Sequence, residues 1–517
     1  MRSRSIRKHA LHDPALDAMD ANGLRALICE MVPWFDERLH ARFANALVEH
    51  AARSGSGWAP EAPGRERVGE ILEFAATAER TGYADPAEVD AYLREGSNAF
   101  LSKDYAAALE IFRALLIPAG DGDFHMGQDE LLEEVLVVEP ATCAAQYVVS
   151  TYMTSPPEHR AEGVLAAIDE MRGIGDFWDP LREMEDVVVE ALPDLDAFLW
   201  EWKALVERRA AKGRDAEWEV AEARWLREVV YRTQGIAGLA EMARRSRRAE
   251  DLWAWCRALA EAGDWSDALA AYDEAAALVP SQHHARGGFL DGAALAAQQL
   301  GRKNLPVLLE RAWRAEPSMT RLRRWLGSST SKKVLIARVA QALAHCPKSE
   351  HRQRGLLHFL NGDLTEVAKL LASAPGLGWS HDDHPGHLMF PLFASLLGDD
   401  ALSLPSVDDD LSVLVAPDAP RLATPDVADL IALAGLPSPT DDANRGTVLK
   451  AMRAAAEKRI AGVTENQRRR HYGHAASLAL ACVRVDPSAE GIRWFERIRS
   501  EYRRYPALQR ELRGGQR

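Results

Sequence analysis

Three histidines and two aspartates crowd the stretch "WSHDDHPGHLMF" at residues 379–390. His381, Asp383, His384 and His387 carry the imidazole and carboxylate donors that zinc takes, and a metal-bound water would extend that to hydrolysis. A zinc site on a helix usually sets two ligands on one face, as in H-E-x-x-H. Here Pro385 and Gly386 interrupt any helix running through the three rings, so they need not share a face. The same residues also make a helix entrance. Ser380, Asp382 or Asp383 would cap it, Pro385 would occupy the first turn, and Pro391 would delay the regular helix. The entrance is the first reading and the metal site the second.

Other reactive spacings are missing. The run "GDGDFHMGQDE" (120–130) has Met126 where a calcium loop needs Gly and Leu132 where it needs a bidentate Glu. "GSSTSKK" (327–333) lacks the leading glycine of a phosphate-binding loop, and no GxSxG, HExxH or GxGxxG unit occurs. Cys29, Cys143, Cys256, Cys346 and Cys482 are scattered without CxxC, which predicts reduced, mostly buried thiols. No catalytic residue and no cofactor are assigned.

Four arginine clusters mix with aromatics: "RRSRR" (244–248), "RLRRW" (321–325), "RRRHY" (468–472) and "YRRY" (502–505). Such mixtures hold phosphates and stack bases, and Arg468, Arg469 and Arg470 are the nucleic-acid candidates. A formal charge of −14 argues against sequence-independent nucleic-acid binding by the whole molecule.

These groups need helices to position them. Ala, Leu, Glu and Arg dominate the 517 residues, and β-branched runs are short. In "LWAWCRALAEAGDWSDALAAYDEAAALVP", Gly263 would end one helix, Trp265 fill the angle, and Ala268 and Ala275 allow close approach beside Tyr272. Pro280 would stop the second helix. This unit resembles a tetratricopeptide repeat. Weaker copies carry Tyr105, Ala108, Phe112 and Leu115; Gly362, Leu364, Val367, Leu371 and Ala374; Gly301, Trp313 and Pro317; and Tyr472, Ala475, Ala479, Cys482 and Pro487. The resemblance implies an all-α fold, a right-handed superhelix of degenerate tetratricopeptide-like hairpins, or α-solenoid. The tryptophan pairs Trp200/Trp202 and Trp253/Trp255 are expected mostly in its core.

The expected organisation is an N-terminal helical segment (1–51), a linker (52–67) and a repeat region (68–398). A Pro/Asp-rich connection (399–446) then holds one short helix, with Thr424 as N-cap and Pro425 at its first position, and C-terminal hairpins follow (447–517).

"LDAMDANGLRALICEMVPWFDERLHARFANAL" and "YGHAASLALACVRVDPS", with the "WFERIRSEYRRYPALQREL" that follows, are similar to segments of bacterial SWIM zinc-finger proteins outside their zinc module. That resemblance implies an accessory α-solenoid. The Cys-x-Cys and Cys-x-His ligand pairs of the module are absent, so no zinc ligand carries over. The start of the chain has no signal-peptide pattern, and no apolar run reaches the ~20 residues of a membrane span. A cytoplasmic scaffold or adaptor that binds a protein or peptide partner is expected, with no membrane association. Oligomeric state is not legible.

Overall fold

The computed structural model describes residues 18–127, 131–213, 219–381, 384–399, 420–435 and 442–514. These are all-helical. No strand occurs among them, and one isolated bridge pairs Tyr83 with His125. No helix among them is long and apolar enough to cross a membrane. The chain divides into two compact units, residues 1–242 and 243–517.

The first unit runs through α1 (Ala21–Met31), α2 (Glu37–Arg53), α3 (Arg65–Thr81), α4 (Pro86–Leu101), α5 (Tyr105–Asp121), α6 (Pro140–Thr154), α7 (Arg160–Glu170), α8 (Pro180–Val187) and α9 (Leu195–Lys212). α10 (Ala221–Ser246) begins here and runs past the boundary, interrupted at Gly235 by a backbone that only glycine adopts readily (φ 63°, ψ −156°). The core gathers Phe100, Phe112, Tyr147, Tyr152 and Trp202. Gly96 permits the approach of α4 to α5, since a Cβ there would sit 2.8 Å from the Phe112 ring. Trp200 points outward from α9, whereas Trp202 on the same helix is fully buried.

α2 has no fully buried residue. Val48 and Ala52 pack on the core, and arginines hold the rest. Arg38 Nη2 donates to the carbonyls of Glu133 (3.1 Å) and Leu136 (3.2 Å), Arg42 Nη2 to Glu133 (3.2 Å), and Arg53 to Asp186. The helix is therefore tied to backbone rather than to other charges. Leu39 and Leu47 face outward on it, beside Ile28, Met31 and Trp34 of the preceding turns.

The second unit contains α11 (Ala249–Glu261), α12 (Trp265–Leu278), α13 (Ala285–Gln299), α14 (Leu305–Ala315), α15 (Met319–Gly327), α16 (Lys332–His345), α17 (His351–Leu360), α18 (Leu364–Ser373), α19 (Pro385–Leu396), α20 (Val427–Ala434), α21 (Asp442–Glu465), α22 (Tyr472–Val485), α23 (Ala489–Glu501) and α24 (Pro506–Gly514).

One joint recurs between paired helices. Lys103, Gly263, Gly301, Gly362 and Gln467 are each left-handed, with φ between 53° and 79°. The N–H of the next residue then bonds back five positions: Asp104 to Ala99, Asp264 to Leu259, Arg302 to Ala297, Asp363 to His358 and Arg468 to Val463, at 2.9–3.0 Å. That bond satisfies a carbonyl at the end of the first helix. Asp104, Asp264 and Asp363 then cap the second helix through N–H groups three residues on. Because Lys103 and Gln467 adopt the same conformation as glycine, the joint persists where its sequence signature fades.

In the clearest unit Gly263 is left-handed (φ 73°), Ala268 and Ala275 are fully buried, and Tyr272 is buried. α12 ends at Leu278, two residues before Pro280. Trp265 is half-buried at the start of α12. Trp253 makes the close aromatic packing instead, stacked on Phe289 at 4.4 Å and edge-on to Tyr272 at 6.0 Å.

Two local expectations are corrected. The short helix starts at Val427, with Asp426 as N-cap in a reciprocal box with Asp429. Thr424 instead accepts from Arg324 Nε at 2.8 Å, and Pro425 lies against Gly327. Pro391 does not delay its helix, because α19 begins at Pro385 and continues through it.

Candidate functional site

The His/Asp stretch is a corner fastened by one imidazole. Gly378 turns the chain (φ 79°), and His384, 4% exposed, is the N-cap of α19. Its Nδ1 accepts from the Gly386 N–H at 3.1 Å, and its Nε2 lies 3.0 Å from the Pro375 carbonyl. A carbonyl oxygen only accepts, so Nε2 carries the proton. The two bonds assign the neutral tautomer and leave neither nitrogen a lone pair for a metal. The ring thus takes the capping role expected of Ser380, Asp382 or Asp383.

His381 is exposed outside the helix, and His387 is half-buried one turn inside it. Asp382 and Asp383 lie outside the described residues. Among the described residues, no group of three His, Cys, Asp or Glu side chains is placed to hold a metal ion.

Trp379, 4% exposed, backs the corner. Its ring packs on His384 (4.8 Å), Phe390 (6.2 Å) and His474 (5.2 Å), and its buried indole N–H has no partner. Gly386 is required beneath it, since a Cβ would come within 2.6 Å of the indole. The approach of His474 to Trp379 from α22, across about ninety-five positions, had no local sequence signal.

The arginine clusters divide. Arg244 pairs with Glu274 and Arg248 with Glu250. Arg321 pairs with Asp291 and Glu316, Arg323 with Asp426, and Arg324 with Asp291. Those guanidiniums tie helices together. Arg468, Arg469 and Arg470 are exposed on the turn before α22 and make no ion pair with a described residue.

The arrangement best suited to a ligand lies in the first unit, where α2, residues 58–61, α4 and residues 137–143 enclose a cavity of about 580 Å³. Val48, Trp58, Pro60, Leu101 and Val138 supply apolar wall, and Arg42, Asn45, Glu49, Arg94, Asn98 and Thr142 the polar groups. A second cavity of about 540 Å³ shares Glu49, Glu139 and Thr142 and extends along Arg172–Phe177. Each volume falls in the range of small-ligand and peptide sites.

Asp90 builds the floor of this groove. Its Oδ1 accepts from the N–H groups of Val137 and Val138, both at 2.7 Å, and its Oδ2 from Arg94 Nη2 at 2.7 Å. Arg94 is thereby oriented, yet its buried Nε has no partner, and neither has the buried Nδ2 of Asn45. Two unsatisfied donors in one cavity wall are costly unless an acceptor joins them.

Nothing in the wall is activated as a nucleophile. Ser97 donates to Gln146 Oε1 at 2.8 Å, and burial pushes the nearby Cys143 thiol up to about 12. Burial also raises the Glu49 carboxyl, with Arg53 partly opposing it. Cys256 and Cys346 are likewise pushed up, to about 12 and about 11, and Cys29 is exposed. The cavity had no motif because its walls come from four separate segments. No protein-family model matches the chain, and no curated protein matches it.

Proposed function

We propose that the chain is a non-catalytic scaffold or adaptor whose first-unit groove takes an extended peptide from a partner protein. One observation carries the reading: the wall of a cavity of about 580 Å³ includes Asn45 and Arg94, each with a buried side-chain donor that has no partner among the described residues. An extended peptide offers what they lack, backbone carbonyls at regular intervals beside side chains that fill apolar pockets. The adjoining cavity lengthens the groove along the same wall. The tetratricopeptide-like solenoid belongs to this proposal, supported by the joint that recurs at Lys103, Gly263, Gly301, Gly362 and Gln467.

The test is selection of peptides from a random library on the full chain, followed by affinity measurement against Thr142→Trp. Thr142 lines both cavities and is half-buried, so the indole fills the groove. The expected peptides bind the native chain and lose at least about tenfold in affinity, or about 1.4 kcal/mol, with an unchanged melting temperature. Peptides that bind both forms equally, or a selection that yields none, would remove the reading.

A further inference from the structure

Arg459 is an unusual guanidinium. It is 5% exposed on α21, its Nη1 donates to the Gly376 carbonyl at 3.1 Å, its Nε has no partner, and it makes no ion pair. A buried cation with no counter-charge is costly, and the expected remedy is an anion. The segment it grips packs directly on the α21 backbone, since a Cβ on Gly376 would lie 2.1 Å from the Lys458 carbonyl.

The turn that follows adds cations rather than a carboxylate. Left-handed Gln467 and the bond from Arg468 N–H to the Val463 carbonyl fold residues 468–471 back onto the end of α21. Arg470 Nε donates to His471 Nε2 at 3.2 Å, and His474 stands one turn further along, against Trp379. Arg468, Arg469 and Arg470 have no carboxylate partner, in contrast to the paired arginines at 244 and 321–324.

The charges bear on one another. Burial and then Arg468 lower the Arg459 guanidinium, and burial followed by Arg459, Arg470 and Arg468 lowers His471. His474 is exposed to solvent on its outer side. Burial, then Arg459, His387, His471 and His384, push it down to about 4. These are the groups that face His474 from the 375–396 segment, α21 and the turn, and no described carboxylate is among them.

We propose that the second unit carries a binding site for a phosphate monoester dianion, formed by Arg459, Arg468, Arg470, His471 and His474. Planar guanidiniums match phosphoryl oxygens two at a time, and His474, with the Nδ1 side of His471, whose Nε2 accepts from Arg470, completes the donor set. A compact dianion is favoured over a nucleic-acid strand because the molecule's net charge of −14 repels an extended polyanion.

The test follows the histidine ring signals of the full chain by NMR at neutral pH and constant ionic strength. Inorganic phosphate and phenyl phosphate are titrated separately. Saturable shifts of His471 and His474 are expected with both probes, and tighter binding of phenyl phosphate would identify an esterified source. Arg468→Ala, an exposed change that leaves the fold intact, weakens binding about tenfold, as loss of one charge-assisted contact does. Absence of a saturable shift overturns the proposal, and so does equal affinity in Arg468→Ala. Tighter binding of a single-stranded oligonucleotide than of phenyl phosphate, with steep salt dependence, also overturns it, because the site would then read a phosphodiester backbone.

Discussion

The corner at 375–387 and the groove of the first unit both contain buried polar groups, but they use them oppositely. In the corner, His384 spends both ring nitrogens on the chain itself, one on the Gly386 N–H and one on the Pro375 carbonyl. In the groove, Asn45 and Arg94 stand in the wall of the cavity, and the buried Nδ2 of one and Nε of the other have no partner among the described residues. Residue type alone would have ranked the two the other way round, since histidines and aspartates look more chemical than an asparagine and an arginine. Hydrogen-bond satisfaction marks His384 as structural, whereas Asn45 and Arg94, like the Trp379 indole behind the corner, keep an unbonded donor.

If the corner is structural, breaking it costs stability rather than a ligand. The largest effect is expected from Gly376→Ala, where the new Cβ meets backbone 2.1 Å away and α21 must move, at about 3 kcal/mol in chemical denaturation. Next comes His384→Ala, which removes the cap and the Pro375 contact together and costs about 2 kcal/mol. Elemental analysis should show the same metal content in this variant as in the native chain. A loss of bound metal without a loss of stability would invert the comparison.

A third test lies inside the first unit. Glu228 accepts from the N–H groups of Leu181 (3.1 Å) and Arg182 (2.8 Å). Burial raises its carboxyl to about 7, against opposition from those bonds and from Arg232. The folded chain therefore holds this proton more tightly than the unfolded chain. Its stabilising contribution is complete below about pH 4.5 and is lost as the pH climbs through about 7. Stability should fall across that window by about 1 kcal/mol per pH unit, and Glu228→Gln should flatten the slope. The smallest effect on stability is expected at Asn45. Asn45→Ala deletes a donor that bonds to nothing, and relief of that unsatisfied group offsets the lost packing, so the melt changes by less than about 0.5 kcal/mol.

How much of this was legible depends on distance along the chain. Helix was readable from Ala and Leu content, and the joints at Gly263, Gly301 and Gly362 from glycine, because those signals act within one or two turns. The joints at Lys103 and Gln467 were less visible, since a left-handed Lys or Gln has no distinctive spelling. Pro385 rightly suggested a helix start, yet the cap came from an imidazole rather than the neighbouring Ser or Asp side chains. The pairing of Arg323 and Arg324 with residues 424–426 joins segments a hundred positions apart. The convergence of His384 with His474 and the assembly of the groove from four segments are likewise products of packing, which local periodicity does not encode.

Under the proposed function, the unbonded donors of the first-unit groove are satisfied by the backbone of a peptide. The most direct test is calorimetric titration of one library-selected peptide into the native chain and into Asn45→Ala. Affinity should be about tenfold weaker in the variant at an unchanged melting temperature, as loss of one buried hydrogen bond to a ligand requires. Equal affinity in the two proteins would contradict it.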